Sequence, residues 1–398
     1  MSEKKYVLYI GAMVMPDKNA GAQRAMSLAK GIRDIGYNPV IIGLSYEKNV
    51  TENILDTKAC YQGIDCFSIV YPKTVKQWLN RMSSIKDFDK IINYYGKDKI
   101  HSIIAIDYEI FALYRLQRYC KQNRIYLIAD NMEWYEKSTL PFPQNCVKDF
   151  DTFWRMKKFY PKLKNKICIS RYLYNHYVDL APQFNTVLIP VTVDHTEDKW
   201  EKLPEYTPST IIRVVYAGNP GDHCIKERLD WLIQAICEVN ALGFKCQLKV
   251  IGVEKKIFEA QYPELTKHPQ YKSIIYLGKR SHKECLEIIS TSDLFTIVRE
   301  DRLVTRAGFP TKLSEGLACG TPVLTTPSSN IVDYVEDSKN GFVTNTFTYD
   351  DVKETLLRAV KVSETKQIEM RRFCRENNKL DYRNFNMALS EFFDKLQM

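Results

Sequence analysis

Between residues 299 and 326 the chain reads REDRLVTRAGFPTKLSEGLACGTPVLTT. Arg299 closes a short apolar run, Leu294–Val298. After a polar loop, Gly308-Phe309-Pro310-Thr311 opens a helix that carries Lys312 and Glu315. Pro310 suits the first turn of that helix. Lys312 and Glu315 are three apart and share a face. A lysine suits a phosphate, and a glutamate suits the vicinal hydroxyls of a ribose. With Arg299 they read as a nucleotide-sugar site. The competing reading is an i,i+3 surface ion pair, against which the Gly-Phe-Pro-Thr opening weighs.

A second segment, YAGNPGDHCIKERLDWLI, spans residues 216–233. Gly218, Asn219, Pro220 and Gly221 form a turn after a strand, and Lys226 opens the next helix. Permissive backbone, a helix N-terminus and a point charge together suit a diphosphate; otherwise Lys226 is a solvated lysine beside a loop. Residues 11–25, GAMVMPDKNAGAQRA, form another strand-to-helix loop in which Gly21 leaves room for a ligand. The dinucleotide fingerprint GxGxxG is absent there, which removes the dehydrogenase reading. Asp130 and Glu133, in IADNMEW, could orient acceptor or donor hydroxyls or cap the next helix. None of the six histidines stands out as a base: His223 lies in the phosphate loop, and His282 reads with the rest as a surface or packed residue. Eleven cysteines occur without CxxC or zinc-finger spacing, so no metal site is assigned.

The elements that must position these groups alternate. Strands are expected at Tyr6–Ile10, Pro39–Leu44, Cys66–Tyr71, Ser102–Ile106, Ile125–Ala129, Lys166–Ser170 and Thr186–Pro190. A polar linker follows at residues 195–210. Strands resume at Ile211–Ala217, Leu248–Gly252, Ile274–Gly278, Leu294–Val298, Pro322–Thr325 and Phe342–Thr344, with helix-period segments between them. Short, near-continuous apolar strands separated by helices predict parallel sheets covered on both faces. The fold class is α/β, with two doubly wound domains. The N-terminal acceptor-binding domain is expected over 1–195, with a C-terminal helix at about 384–398 packing back on it. The donor-binding domain is expected over 196–383. Such sheets bind ligands beyond the carboxyl ends of their strands.

The pairing of YAGNPG…K with GFPTKLSEGLACGTPVLTT resembles glycosyltransferase family 4 and its GT-B relatives. The resemblance implies two Rossmann-like domains facing a central cleft, a nucleoside-diphosphate sugar on the second, retention of configuration, and no metal or other cofactor. It places Glu315 on the donor ribose, Gly218–Gly221 at the glycine-rich turn, and Lys226 with Lys312 or Arg299 on the diphosphate. Arg299, Lys312 and Glu315 form the expected catalytic set. Lys279, Arg280, Phe309, Pro310 and Thr311 complete the expected donor site, together with Gly21 and the 218–221 turn. There are departures. The first glutamate of the family's Glu-x7-Glu pattern is Ala307 here, the arginine usual after the glycine is Asn219, and Met132 stands where a histidine is common.

The charge divides unevenly. Residues 1–195 hold 28 Lys/Arg against 19 Asp/Glu, whereas 196–398 hold 29 of each, so the net +9 lies in the first part. Such a field attracts anionic partners. Segment 76–97 sets Trp78, Met82, Ile85, Ile92 and aromatics near basic residues, and segment 153–177 interleaves basic residues with aromatics such as Phe153 and Trp154. That composition suits a membrane surface or single-stranded nucleic acid, or else a core-facing stripe beneath a solvated face. The family resemblance favours a glycan or lipid-phosphate-linked acceptor near anionic membrane over nucleic acid. Scattered thiols, no run of 18 apolar residues and no cleavage site lead to a cytoplasmic expectation, at the inner membrane face. The expected activity is glycosyl transfer in cell-surface polysaccharide or glycoconjugate assembly. A non-catalytic subunit and a nucleotide-sugar epimerase of the same fold are the alternatives.

Overall fold

The computed structural model describes residues 5–16, 18–47, 53–138 and 140–398. They form two compact units. One holds the described residues up to Val193 together with Tyr382–Met398, and the other holds Asp194–Asp381.

The first unit is built on eight strands: β1 (Tyr6–Gly11), β2 (Asn38–Ser45), β3 (Ala59–Tyr61), β4 (Ile64–Val70), β5 (Ile100–Ile106), β6 (Tyr126–Asn131), β7 (Asn165–Cys168) and β8 (Asn185–Leu188). Their order is β3-β4-β2-β1-β5-β6-β7-β8. Every pairing is parallel except β3 with β4. In β1, β5 and β6 the apolar run is buried on both faces, as a covered parallel strand requires. β3 is an edge strand absent from the expected set. It turns back at Gln62-Gly63, both at positive φ, the backbone of a two-residue hairpin. The helix Asn386–Asp394 belongs here: Asn185 and Asn165 donate side-chain amide hydrogens to the carbonyls of Phe392 and Gln397, both at 2.8 Å.

A buried ion pair braces this unit. Arg24, on the helix Ala20–Asp34, donates to both oxygens of Asp130, at 2.8 and 2.7 Å. It also donates to the carbonyls of Ile189 and Pro190, at 3.0 and 2.8 Å. The Tyr9 hydroxyl, on β1, donates to the same carboxylate. Arg24 and Asp130 are almost wholly buried. Burial, then the Asp130 charge, push the Tyr9 phenol well above its usual range. One carboxylate thus joins β1, β6, the first helix and the segment after β8.

The second unit has six parallel strands: β9 (Ile212–Ala217), β10 (Cys246–Ile251), β11 (Ile274–Gly278), β12 (Leu294–Ile297), β13 (Val323–Thr325) and β14 (Gly341–Val343). They are ordered β11-β10-β9-β12-β13-β14. Leu232, Ile233, Ile236 and Val239 of the helix Leu229–Ala241 enter its core with Val214, Leu248 and Val250. The expected linker is not free chain. The Tyr206 hydroxyl donates to Asp293 at 2.5 Å, and the Arg371 guanidinium lies 4.0 Å from the centre of its ring. Arg213 binds the same aspartate at 3.0 Å.

Removing one member of a buried pair strands the other charge, typically at a cost of about 3–5 kcal/mol. Arg24→Ala and Asp130→Ala should each lower unfolding free energy by about that much, and the double variant by clearly less than their sum. Urea unfolding of the three variants measures this.

Candidate donor site

Of the expected donor residues, the 218–221 turn, Arg299 and Lys312 come together at the carboxyl ends of β9, β12 and β13. Arg299 follows β12, and its backbone is pinned to the end of β13 by Thr326. The Thr326 hydroxyl accepts from the Arg299 amide at 2.9 Å and donates to the Arg299 carbonyl at 2.8 Å. Lys312 lies in the first turn of the helix Thr311–Ala318. Pro310 sits just before that helix, at its cap, rather than within its first turn. Phe309 is buried edge-on against Tyr334, which fixes the way into the helix.

Lys312 and Glu315 do not pair with each other. The Lys312 ammonium donates to Glu227 Oε2 at 2.5 Å, and Arg299 donates to Glu227 Oε1 at 3.2 Å. Glu227 is 2% exposed. Lys312 also lies over the Tyr216 ring, 4.7 Å from its centre. Burial raises the affinity of Glu227 for a proton, but Lys312 and Arg299 outweigh it and hold the carboxyl below its usual range. Burial lowers the Lys312 pKa. Glu227 opposes this and Arg299 and Lys226 add to it, leaving the ammonium below the ordinary lysine value. The Arg299 Nε–H is buried without a hydrogen-bond acceptor among the described residues.

The turn at 218–221 brings backbone against this cluster. Gly218 has φ +145°, and a Cβ there would lie 2.4 Å from the Lys312 ammonium. The dihedral favours glycine, and a Cβ would also displace the flexible end of Lys312. The Asn219 side chain accepts from the Gly221 amide at 2.9 Å, closing the turn around buried Pro220. Lys226 does not begin the next helix, which starts at Leu229; its amide donates to the Pro220 carbonyl at 2.9 Å.

Glu315 has a different partner. His282 Nε2 lies 2.7 Å from Glu315 Oε1, with both side chains partly buried. His282, read from sequence as an ordinary residue, is therefore part of the site. It opens a helix capped by Ser281, directly after exposed Lys279 and Arg280. Ala307 is fully buried at the end of the short helix Leu303–Ala307. Among the described residues, no three His, Cys, Asp or Glu side chains gather as metal ligands.

The other assigned residues lie in the first unit. Gly21 is in the first turn of the helix Ala20–Asp34, and a Cβ there would meet nothing closer than 3.6 Å, so no tight approach requires glycine. Asp130 has no exposed surface and is occupied by Arg24 and Tyr9, which makes it a bracing group. Glu133 is partly exposed after β6.

Residues 212–361, within the second unit, match the family model of glycosyl transferases group 1. Among solved structures, sucrose-phosphate synthase from Thermosynechococcus elongatus aligns with a TM-score of 0.73 at 12% identity, over 98% of this chain and 99% of that one. The chain has the GT-B glycosyltransferase fold. The catalytic domain of starch synthase IV from Arabidopsis thaliana, bound to ADP and acarbose, gives 0.69 at 14%, over 99% of each. The Anabaena protein HepE, in complex with UDP, gives 0.61 at 14%, over 98% of this chain and 100% of that one. No curated protein matches the sequence at a significant level.

In this GT-B chain, Gly218→Ala places a side chain at φ +145°. Unfolding free energy should fall by about 1–3 kcal/mol, the usual cost of a residue held in a sparsely populated backbone region. Urea unfolding of wild type and variant measures it.

Proposed function

We propose that the protein is a glycosyltransferase that takes a sugar from a nucleoside diphosphate with retention of configuration and without a metal. The observation that carries this is the cationic pair Lys312 and Arg299, fixed at the carboxyl ends of β9, β12 and β13 beside a glycine turn. As a diphosphate leaves, negative charge grows on its oxygens. Preorganised cations favour that state without reorganising at the moment of reaction. Glu315, oriented by His282, offers carboxylate oxygens to the ribose hydroxyls. The nucleoside diphosphates named with HepE and starch synthase IV support a donor of this class.

The acceptor proposed is a glycan or lipid-linked glycan of cell-surface assembly, met by the first unit near anionic membrane. Much of the two basic-aromatic segments proves to be core. Phe88 and Ile92 are buried, as are Met156, Phe159, Tyr160 and Tyr177. The Met82 side chain lies outside the described residues. Trp78, Phe153 and Trp154 of those segments are exposed, and the last two belong to a group of exposed aromatics on the helix Gln144–Trp154 and its neighbours, with Phe111, Phe142 and Phe150. Exposed Lys148, Lys157 and Lys158 lie among them. A basic rim around aromatic anchors suits an anionic bilayer. Among the described residues, no helix is long and apolar enough to cross a membrane.

Incubation with a panel of nucleotide sugars and glycan or lipid-linked acceptors should release nucleoside diphosphate. Lys312→Ala should lower kcat by about 10²–10³-fold, the usual cost of one lost transition-state contact. Glu315→Ala should mainly raise the donor KM. Donor binding without turnover under every acceptor would favour a non-catalytic subunit, and donor conversion without acceptor would favour an epimerase. Separately, vesicles containing anionic lipid should co-sediment the protein, and 0.5 M salt should release it (~4 Å screening length). Absent or salt-insensitive binding would contradict the membrane proposal.

A further inference from the structure

Glu227 lies in the run Lys226-Glu227-Arg228, where three successive charges suggest a solvated turn. The structure buries it. A carboxylate out of water is costly unless it is paired and hydrogen-bonded, and here each oxygen is taken by a different cation. Those cations come from distant parts of the chain: Arg299 from the end of β12 and Lys312 from the helix after it. One carboxylate therefore fixes the spacing between them. It also leaves the group of three with one net positive charge. Tyr216 lies beneath Lys312 and Gly218 beside it, and the lysine side chain stays partly exposed.

We infer that Glu227 is a positioning residue of the donor site, which holds Lys312 and Arg299 at fixed spacing for the leaving diphosphate without itself touching substrate. This rests on the donor-site reading above. The charged groups around the Lys312 ammonium are Glu227, Arg299 and Lys226, with the Tyr216 phenol beneath it. Glu227 is the group among them that favours the protonated lysine, against burial and two cations. Neutralising it must make Lys312 lose its proton at lower pH.

The test compares wild type, Glu227→Gln and Glu227→Asp, from pH 6 to 10. The readouts are nucleoside diphosphate release from the donor sugar and UDP and ADP affinity. Glutamine keeps a hydrogen-bond acceptor but removes the charge. It should lower kcat by about 100-fold with donor KM changed less than about threefold, the pattern of a lost transition-state interaction. The alkaline limb of its kcat profile should fall by about one pH unit or more, because deprotonated Lys312 no longer serves the leaving group. Aspartate keeps the charge on a shorter arm, so it should retain the wild-type limb while losing about tenfold in kcat. This second variant decides the matter if the glutamine variant does not fold. An unmoved limb in Glu227→Gln, or unchanged kcat in Glu227→Asp, would overturn the role while leaving the donor site standing. Wild-type protein that neither binds UDP or ADP nor releases a diphosphate from any donor sugar would overturn the donor-site reading, and this role with it.

Discussion

Two cations share one buried carboxylate at the carboxyl end of the second sheet, and the arrangement of the candidate site depends on that sharing. Without Glu227, Lys312 and Arg299 would repel each other in a partly desolvated place, and Lys312 would tend to lose its charge. With it, both are held at fixed spacing before any ligand arrives, and the lysine is helped to keep its proton. Prior fixing of this kind lets electrostatic stabilisation act on a leaving group at little reorganisation cost. The glycine at 218, at φ +145°, lets the turn lie against the lysine without displacing it.

The rest of the second unit serves this arrangement. β9 ends in the glycine turn, β12 ends in Arg299, and Thr326 ties the ends of β12 and β13 together. A short helix then presents Lys312 toward Glu227 and Glu315 toward His282. All these groups project from one end of a parallel sheet, where open α/β folds bind ligands. The first unit uses the same economy in a structural role. Asp130, at the carboxyl end of β6, holds Arg24 and Tyr9 and thereby joins two strands, a helix and the segment after β8.

Much of this was legible in sequence, and the misses have physical causes. The central strands announce themselves because both faces are covered and their apolar runs are nearly continuous. β3 does not, because it is three residues at an edge with little to bury. Residues 195–210 look like free linker because they are polar. What anchors them is Asp293, Arg213 and Arg371, whose approach to Tyr206 no local pattern reveals. Arg299, Lys312 and Glu315 stand out through type and spacing. Glu227 hides in a charge run, and its partners lie 72 and 85 residues away. His282 is inconspicuous for the same reason, 33 residues from Glu315. Asp130 was visible as a carboxylate at a strand end, but only the fold shows that Arg24 occupies it.

The most direct measurement of the central claim is a crystal structure of the protein with a nucleoside diphosphate, UDP or ADP. The account predicts diphosphate oxygens on Lys312 and Arg299, with both cations still held by Glu227. A diphosphate bound away from these residues, or one that displaces Glu227 from both cations, would contradict it.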